Sequence, residues 1–241
     1  MTPLQRLARR LGYDLTPRAK ARPLQAQLVA VLERFQVSCV LDVGANAGQY
    51  GLTLREWGYG RRIVSFEPQA AAHRRLERRA AADPGWRVAP PMALGEADGE
   101  VEIEVSAEDD MSSILPQSAL LQRVSPSSRI VGRERVRLAR LDAVIEDYLA
   151  PDDRVFLKLD TQGSEAQVLA GAGALLPRLQ GIQLEMPLVR CYDGERDFRA
   201  LLDDLAQAGF SPFLFIPGYF ERKLARQLQV DGVFMRAGDE T

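Results

Sequence analysis

The stretch VSCVLDVGANAG, residues 37–48, decides the reading of this chain. Val37–Val43 is an apolar run too short for a stable helix and reads as a buried strand. Gly44 and Gly48 then break the pattern, and the segment through Trp57 reads as a helix. A strand, a glycine-bearing turn and a helix, in that order, open a nucleotide-binding α/β unit. Gly44 lets the backbone turn sharply and approach a ligand, and Gly48 lets ligand and helix pack closely.

The alternation continues downstream. Arg62–Phe66 reads as a second strand and Gln69–Ala82 as an Ala/Arg-rich helix closed by Asp83, Pro84 and Gly85. Trp86–Ala89 is a short third strand. Further on, Leu141–Leu149, Ser164–Leu176 and Glu195–Ala208 read as helices between the strands Arg154–Leu159 and Ile182–Glu185. Pro212–Ile216 and Val230–Met235 are expected to pair as a C-terminal hairpin. Apolar strands between helices predict a doubly wound, Rossmann-like α/β sheet. The middle of the chain departs from this pattern. Val101–Val105 alternates at period two, as does the region of Val136–Leu138, with a Ser/Pro-rich stretch from Ser112 to Ser128 between them. We expect two strands at one edge of the main sheet, joined by a long irregular loop, a feature that is often functional.

Upstream, Leu4, Leu7, Ala8 and Leu11 share one helical face, with Arg6, Arg9 and Arg10 off it. Pro23 opens a second helix with the stripe Leu24, Leu28, Val31, Leu32 and Phe35. The chain is thus expected to divide into a helical appendage, 1–36, and one domain, 37–241. Its 241 residues suit one principal domain, and its 46 % hydrophobic and 27 % charged fractions are ordinary for a globular protein. The net charge of −2 argues against a globally basic nucleic-acid binder. The two cysteines, Cys39 and Cys191, have no metal-site or disulfide spacing. No apolar run is long enough to span a bilayer. A reduced, cytoplasmic protein is expected, with its oligomeric state left open.

Four acids fall at predicted carboxyl ends of strands: Asp42, Glu67, Asp160 and Glu185. Ligands of open α/β sheets bind beyond those ends. Glu67, 25 residues after Asp42, is placed to accept from the two hydroxyls of an adenosine ribose. Asp42 sits badly beside a pyrophosphate but suits a cation, such as the ammonium of S-adenosylmethionine (SAM). The pattern D-x-G-x-N-x-G over Asp42, Gly44, Asn46 and Gly48 therefore favours SAM over NAD. An NAD-dependent oxidoreductase and a SAM-binding protein without catalysis are the alternatives. In LKLDTQGSE, residues 157–165, Asp160 and Glu165 are candidate general bases for removing a hydroxyl proton. A divalent cation held by Asp160 and Glu185 is a weaker route to the same end. The loop around Asp110, with Ser112 and Ser113, is expected on the acceptor side with Glu185 and Tyr192, whose ring could stack on a sugar.

The succession VLDVGANAGQYG, IVSFEP, ALGEADGEVEI, the Ser112–Ser113 pair, RLDAVIEDY, FLKLDTQGSEAQVLAGA, IQLEMP and VDGVFMR resembles the FkbM-type SAM-dependent methyltransferases. The resemblance runs from about Val37 to Arg236. It implies a seven-stranded methyltransferase sheet with an antiparallel C-terminal strand. It also implies O-methylation of hydroxyls on sugars, glycans or polyketide-like small molecules, and no nucleic-acid acceptor is expected. By position it assigns Asp42, Gly44, Asn46 and Gly48 to the methionine side and Glu67 to the ribose. Ala45, Pro68 and Ala93 are expected to line the cofactor beside them. Asp160, Gly163 and Glu165 match the family's D-x-x-G-x-E segment.

Overall fold

The computed structural model describes residues 2–12, 23–236 and 238, so residues 13–22 of the expected appendage lie outside the described residues. Helices α1 (Pro3–Arg10) and α2 (Leu24–Arg34) precede β1 (Cys39–Val43), α3 (Gln49–Glu56), β2 (Arg62–Phe66), α4 (Ala70–Ala80) and β3 (Trp86–Val88). Next come β4 (Ala93–Leu94), β5 (Gly99–Ser106), α5 (Ala119–Val124) and β6 (Ile130–Ala139). They are followed by α6 (Leu141–Val144), β7 (Val155–Leu159), α7 (Glu165–Gly171), β8 (Leu179–Pro187), α8 (Phe198–Gln207) and β9 (Phe210–Pro217). A small hairpin of β10 (Phe220–Glu221) and β11 (Arg226–Gln227) leads into β12 (Gln229–Arg236).

The main sheet has seven strands in the order β3-β2-β1-β7-β8-β12-β9. Strand β12 inserts antiparallel between β8 and β9, and the other neighbours run parallel. The expected hairpin of the last two major strands therefore forms, with β12 on its inner side. Strand order reverses at β1, which pairs with β2 on one side and β7 on the other. Both faces are covered, so β1 and β7 are buried throughout and read as near-continuous apolar runs. Cys39, Leu41 and Val43 pack against the α6, α7 and α8 layer, while Val40 faces α2, α3 and α4.

Helix α2 belongs to this second layer. Leu28, Leu32 and Phe35 share a core cluster with Val40, Leu54, Ile63 and Phe156. A boundary at residue 36 thus falls inside a packed layer. Leu32 is 0 % exposed. Leu32→Ala should lower stability by about 3 kcal/mol, read as a shift in the urea midpoint. An unchanged midpoint would mean that α2 does not support the sheet.

The central alternating segments do not join the main sheet, contrary to expectation. β4, β6 and β5 form a separate three-stranded sheet. Its charge pattern gives the reason. In the antiparallel register Glu100, Glu102 and Glu104 stand opposite Arg137, Arg135 and Arg133. Arg133 reaches Glu102 at 3.4 Å and Glu104 at 3.0 Å, and Arg135 reaches Glu100 at 3.7 Å. Such a face must stay in water, and a strand of a sheet covered on both faces has none to offer. The opposite face carries Ile103 and Val136, which pack with Ala93, Ile114 and Leu138. The intervening Ser/Pro-rich stretch is more ordered than expected, since it contains α5.

Candidate active site

Beyond the carboxyl ends of β1, β2 and β7 lies an open cleft. Gly44 and Asn46 line it from the turn after β1, and Glu67 and Pro68 from the turn after β2. Ala93 lines it from β4. The three-stranded sheet and the segment after it form its other wall, through Ile103, Ser112, Ser113 and Ile114. Glu134, on the inward face of β6, accepts from the N–H of Ala70 at 3.0 Å. A carboxylate is favoured at the N-terminus of a helix, so this contact pins the second sheet to α4.

Gly44 adopts φ +74°, and a Cβ there would lie 1.8 Å from the carbonyl oxygen of Asp160. Its bareness thus serves the approach of the β1 and β7 turns as much as the approach of a ligand. Gly48 (φ +88°) and Ala45 do not line the cleft. Gly48 sits against Leu76 and Trp86, where its role is helix packing. Asn46 is held in the left-handed region at φ 46°, and its Oδ1 is buried without a hydrogen-bond partner. Glu67 is 4 % exposed and accepts from the N–H groups of Asn46 and Gln69, both at 2.8 Å. Burial pushes its carboxyl up to about 7.

Asp42 is not available to a cofactor. It is fully buried, accepts from Ser65 Oγ at 3.1 Å and pairs with Lys158 Nζ at 3.3 Å. The Lys158 ammonium also lies 3.3 Å from Asp160 Oδ2 and 5.1 Å from the centre of the Tyr50 ring. The neighbouring carboxylates keep Lys158 charged despite its burial. Asp42 and Lys158 are direct partners in the β1–β7 register, which explains their contact. Asn46, whose amide oxygen is buried and unpartnered, lines the cleft, and Asp42 does not.

Asp160 reaches the cleft, its side chain 41 % exposed. Its Oδ1 accepts from Gln162 Nε2 at 2.8 Å. The same amide donates to Glu185 Oε2 at 3.3 Å. Gln162 is itself fixed: Tyr192 Oη donates to its Oε1 at 2.6 Å, and Ser113 Oγ donates to its carbonyl at 2.6 Å. It stands at φ 55°, a left-handed position for a non-glycine residue. An N–H donor therefore occupies the space between Asp160 and Glu185 where a bridging cation was considered. Among the described residues no group of three or more His, Cys, Asp or Glu side chains is arranged to hold a metal.

Three expected roles need correction. Glu165 lines neither the cleft nor the cavity beside it. It is 3 % exposed, and its Oε1 accepts from Thr161 N at 2.8 Å, Thr161 Oγ1 at 3.0 Å and Gly163 N at 3.3 Å. It closes the 160–163 turn and is not placed as a base. Tyr192 is 0 % exposed, so its ring cannot stack on a sugar. Ser112 and Ser113 line the cofactor-sized cleft, not a separate acceptor space. His73, on α4, is buried and bonds the Ala89 carbonyl at 2.7 Å.

A second cavity, of about 560 Å³, adjoins the first and shares Asp110, Asp160 and Gln162 with it. Glu185 lines this second space, where Gln229 Nε2 donates to its Oε2 at 2.6 Å. Burial, reinforced by Asp160, holds the Glu185 carboxyl well above the usual carboxylate range. Sequence reasoning missed Gln162, Met92, Leu94, Ile103 and Ile114. The left-handed, non-glycine position of Gln162 has no sequence signature, and the four apolar residues read as ordinary core.

The profile for the methyltransferase FkbM domain matches residues 42–212. No curated protein sequence matches the chain. Among solved structures, a Thermobifida fusca protein assigned as a methyltransferase is 12 % identical, with a TM-score of 0.51 over 89 % of this chain and 79 % of that one. An rRNA methylase from Streptococcus thermophilus is 12 % identical, with a TM-score of 0.47 over 91 % and 99 % of the two chains. The methyltransferase domain of bacterial CtHen1 is 13 % identical, with a TM-score of 0.46 over 88 % and 97 %. With the Thermobifida fusca protein the chain shares the Rossmann-like methyltransferase fold.

Proposed function

This chain belongs to the FkbM methyltransferase family, and on that premise we propose that it is a cytoplasmic O-methyltransferase acting on a hydroxyl of a sugar, glycan or polyketide-like small molecule. The observation that carries the reading is Asp160, a carboxylate at a rigid strand end that lines both cavities where they meet. SAM, the methyl donor that the family implies, fits the residues of the first cleft. The buried acid Glu67 suits the ribose hydroxyls, the unpartnered Oδ1 of Asn46 suits an ammonium, and Met92, Leu94, Ile103 and Ile114 offer an apolar slot for a base. SAM supplies a methyl group on a good leaving group, so the protein's work is to align the acceptor and take its proton.

Gln162 and Lys158 each hold one oxygen of Asp160, fixing the carboxylate plane towards the seam between the cavities. From there Asp160 can receive the hydroxyl proton as the oxygen–carbon bond forms. Among the described residues no helix is long and apolar enough to cross a membrane, and both cysteines are free and buried. Calorimetric titration with S-adenosylhomocysteine, with and without Mg²⁺ and beside NADH, tests the cofactor. Micromolar binding of the homocysteine compound and none of NADH is expected. Binding of NADH alone would overturn the reading.

The pKa of Glu67 adds a pH signature. Ribose hydroxyls donate to the ionised carboxylate, so binding favours ionisation, and affinity falls as pH drops through about 7. S-adenosylhomocysteine should bind about tenfold more weakly at pH 6 than at pH 8. In the ligand-free protein the same upward shift acts the other way. Its contribution to stability is present below the unfolded carboxyl's pKa and is lost as pH rises through about 7. Glu67→Gln should flatten the binding profile, and an unflattened profile would remove Glu67 from the ribose site.

A further inference from the structure

The walls of the second cavity are acidic, like those of the first, with which it shares Asp110 and Asp160. Glu108, Asp110, Asp160 and Glu221 line it, beside Glu185, whose buried carboxyl favours the neutral form, and among the described residues no lysine or arginine lines it. Lys158 is sealed behind Asp42 and Asp160. Lys223 acts on Glu221 but is not among the lining residues. Glu221 is held ionised by the Tyr219 hydroxyl at 2.7 Å and the Lys223 N–H at 2.8 Å. The remaining walls, Met111, Val124 and Tyr219 beside Ser125, Ser127 and Gln229, offer apolar and uncharged polar surface. The cavity is joined to the cofactor cleft at Asp160, so whatever occupies it lies beside the base.

We propose that this second cavity is the acceptor site, and that its acceptor is a hydroxyl-bearing molecule that also carries a protonated amine and no phosphate or carboxylate. The inference rests on the methyltransferase reading and names the substrate class of that same site. Carboxylates that share a partly enclosed cavity attract a cation more strongly than they would in open water, because the walls lower the local dielectric. An anionic acceptor meets like charge on several sides and finds no lysine or arginine to pair with. A protonated amine is not nucleophilic, so it serves as the anchor while a neighbouring hydroxyl reacts. The carbon–sulfur bond of SAM breaks as the oxygen–methyl bond forms. The hydroxyl proton passes to Asp160, and S-adenosylhomocysteine leaves with the sulfur's electron pair.

The test uses the full chain and acceptors matched on one scaffold: amino sugars and aminocyclitols, their N-acetyl forms, and their phosphate esters. S-adenosylhomocysteine binding is measured first, and turnover is then read as S-adenosylhomocysteine release. The amine forms are expected to show kcat/KM at least tenfold above their N-acetyl counterparts, with no turnover of the phosphate esters. The double variant Glu108→Gln, Glu221→Gln should narrow that gap to less than threefold, mainly through the KM of the amine. Equal use of N-acetyl forms, use of phosphate esters, or turnover of no member by protein that binds S-adenosylhomocysteine would each overturn the proposal. Failure to bind S-adenosylhomocysteine would instead strike the methyltransferase reading itself.

Discussion

Asp160→Asn is expected to bind S-adenosylhomocysteine within twofold of the parent and to lose methyl transfer by about a hundredfold to ten-thousandfold, the usual range for removing a general base. The substitution barely changes shape, and the proposed ribose and ammonium contacts at Glu67 and Asn46 do not involve it. It does remove the proton acceptor from the seam between the cavities. One of the two donors that grip Asp160, Lys158 or Gln162, would then face an amide N–H₂. Single-turnover rates with a saturating acceptor, beside calorimetry with S-adenosylhomocysteine, separate the two effects. Retained rate would show that the acceptor's proton leaves by another route. Absence of turnover in the parent, with intact cofactor binding, would favour a binding protein without catalysis.

The second large effect concerns folding. Lys158→Met should destabilise the protein by about 3 to 5 kcal/mol near pH 8, because it leaves a buried carboxylate without its counter-charge. Asp42 is 0 % exposed, and burial already raises its pKa against the opposing pull of Lys158. Without the ammonium that rise grows. The folded carboxyl then prefers to be protonated, so the loss is largest at high pH and shrinks as pH falls through the raised value. Urea midpoints at pH 5 and pH 8 should therefore converge on the parent at the lower pH. Asp42→Asn in the same chain should recover most of the loss at pH 8. A deficit independent of pH would mean that lost packing, not unpaired charge, is responsible.

Much of this architecture was legible because the main sheet is covered on both faces. Covered strands must be apolar runs, and runs such as VSCVLDV and RVFLKL have no competing helical reading at their length. The glycine turn and Glu67 were legible for a related reason, since position at a strand's carboxyl end almost fixes where a side chain lies. The separate three-stranded sheet was not legible as such. Period-two alternation reveals strands but not which sheet they join. The deciding information was the pairing of Glu100, Glu102 and Glu104 with Arg137, Arg135 and Arg133 across a register that only the folded chain displays. Side-chain direction misled in the same way at Asp42, Glu165 and Tyr192. Asp42 and Glu165 sit near the expected ends of their elements and Tyr192 in the loop after β8, yet each turns inward to satisfy a buried partner. An acid at a strand end can face the ligand or its neighbours, and sequence does not distinguish the two.

The Asp42–Lys158 contact has a consequence for how the chain reaches this structure at all. The β1–β7 pairing sets Asp42 against Lys158 and Val43 against Leu159, amid Val40, Leu41, Phe156 and Leu157. Apart from that one pair, the two strands are aliphatic or aromatic enough to slide past each other at little cost. A slip of one residue reverses the face of every side chain in the moved strand, and a slip of two sets Asp42 against Asp160 or Phe156 and Lys158 against Val40 or Gly44, so that neither charge meets its counter-charge. The misaligned arrangements are thus penalised by the same lysine that grips Asp160. A chain that has found the correct alignment has, by that step alone, placed the carboxylate proposed as its proton acceptor.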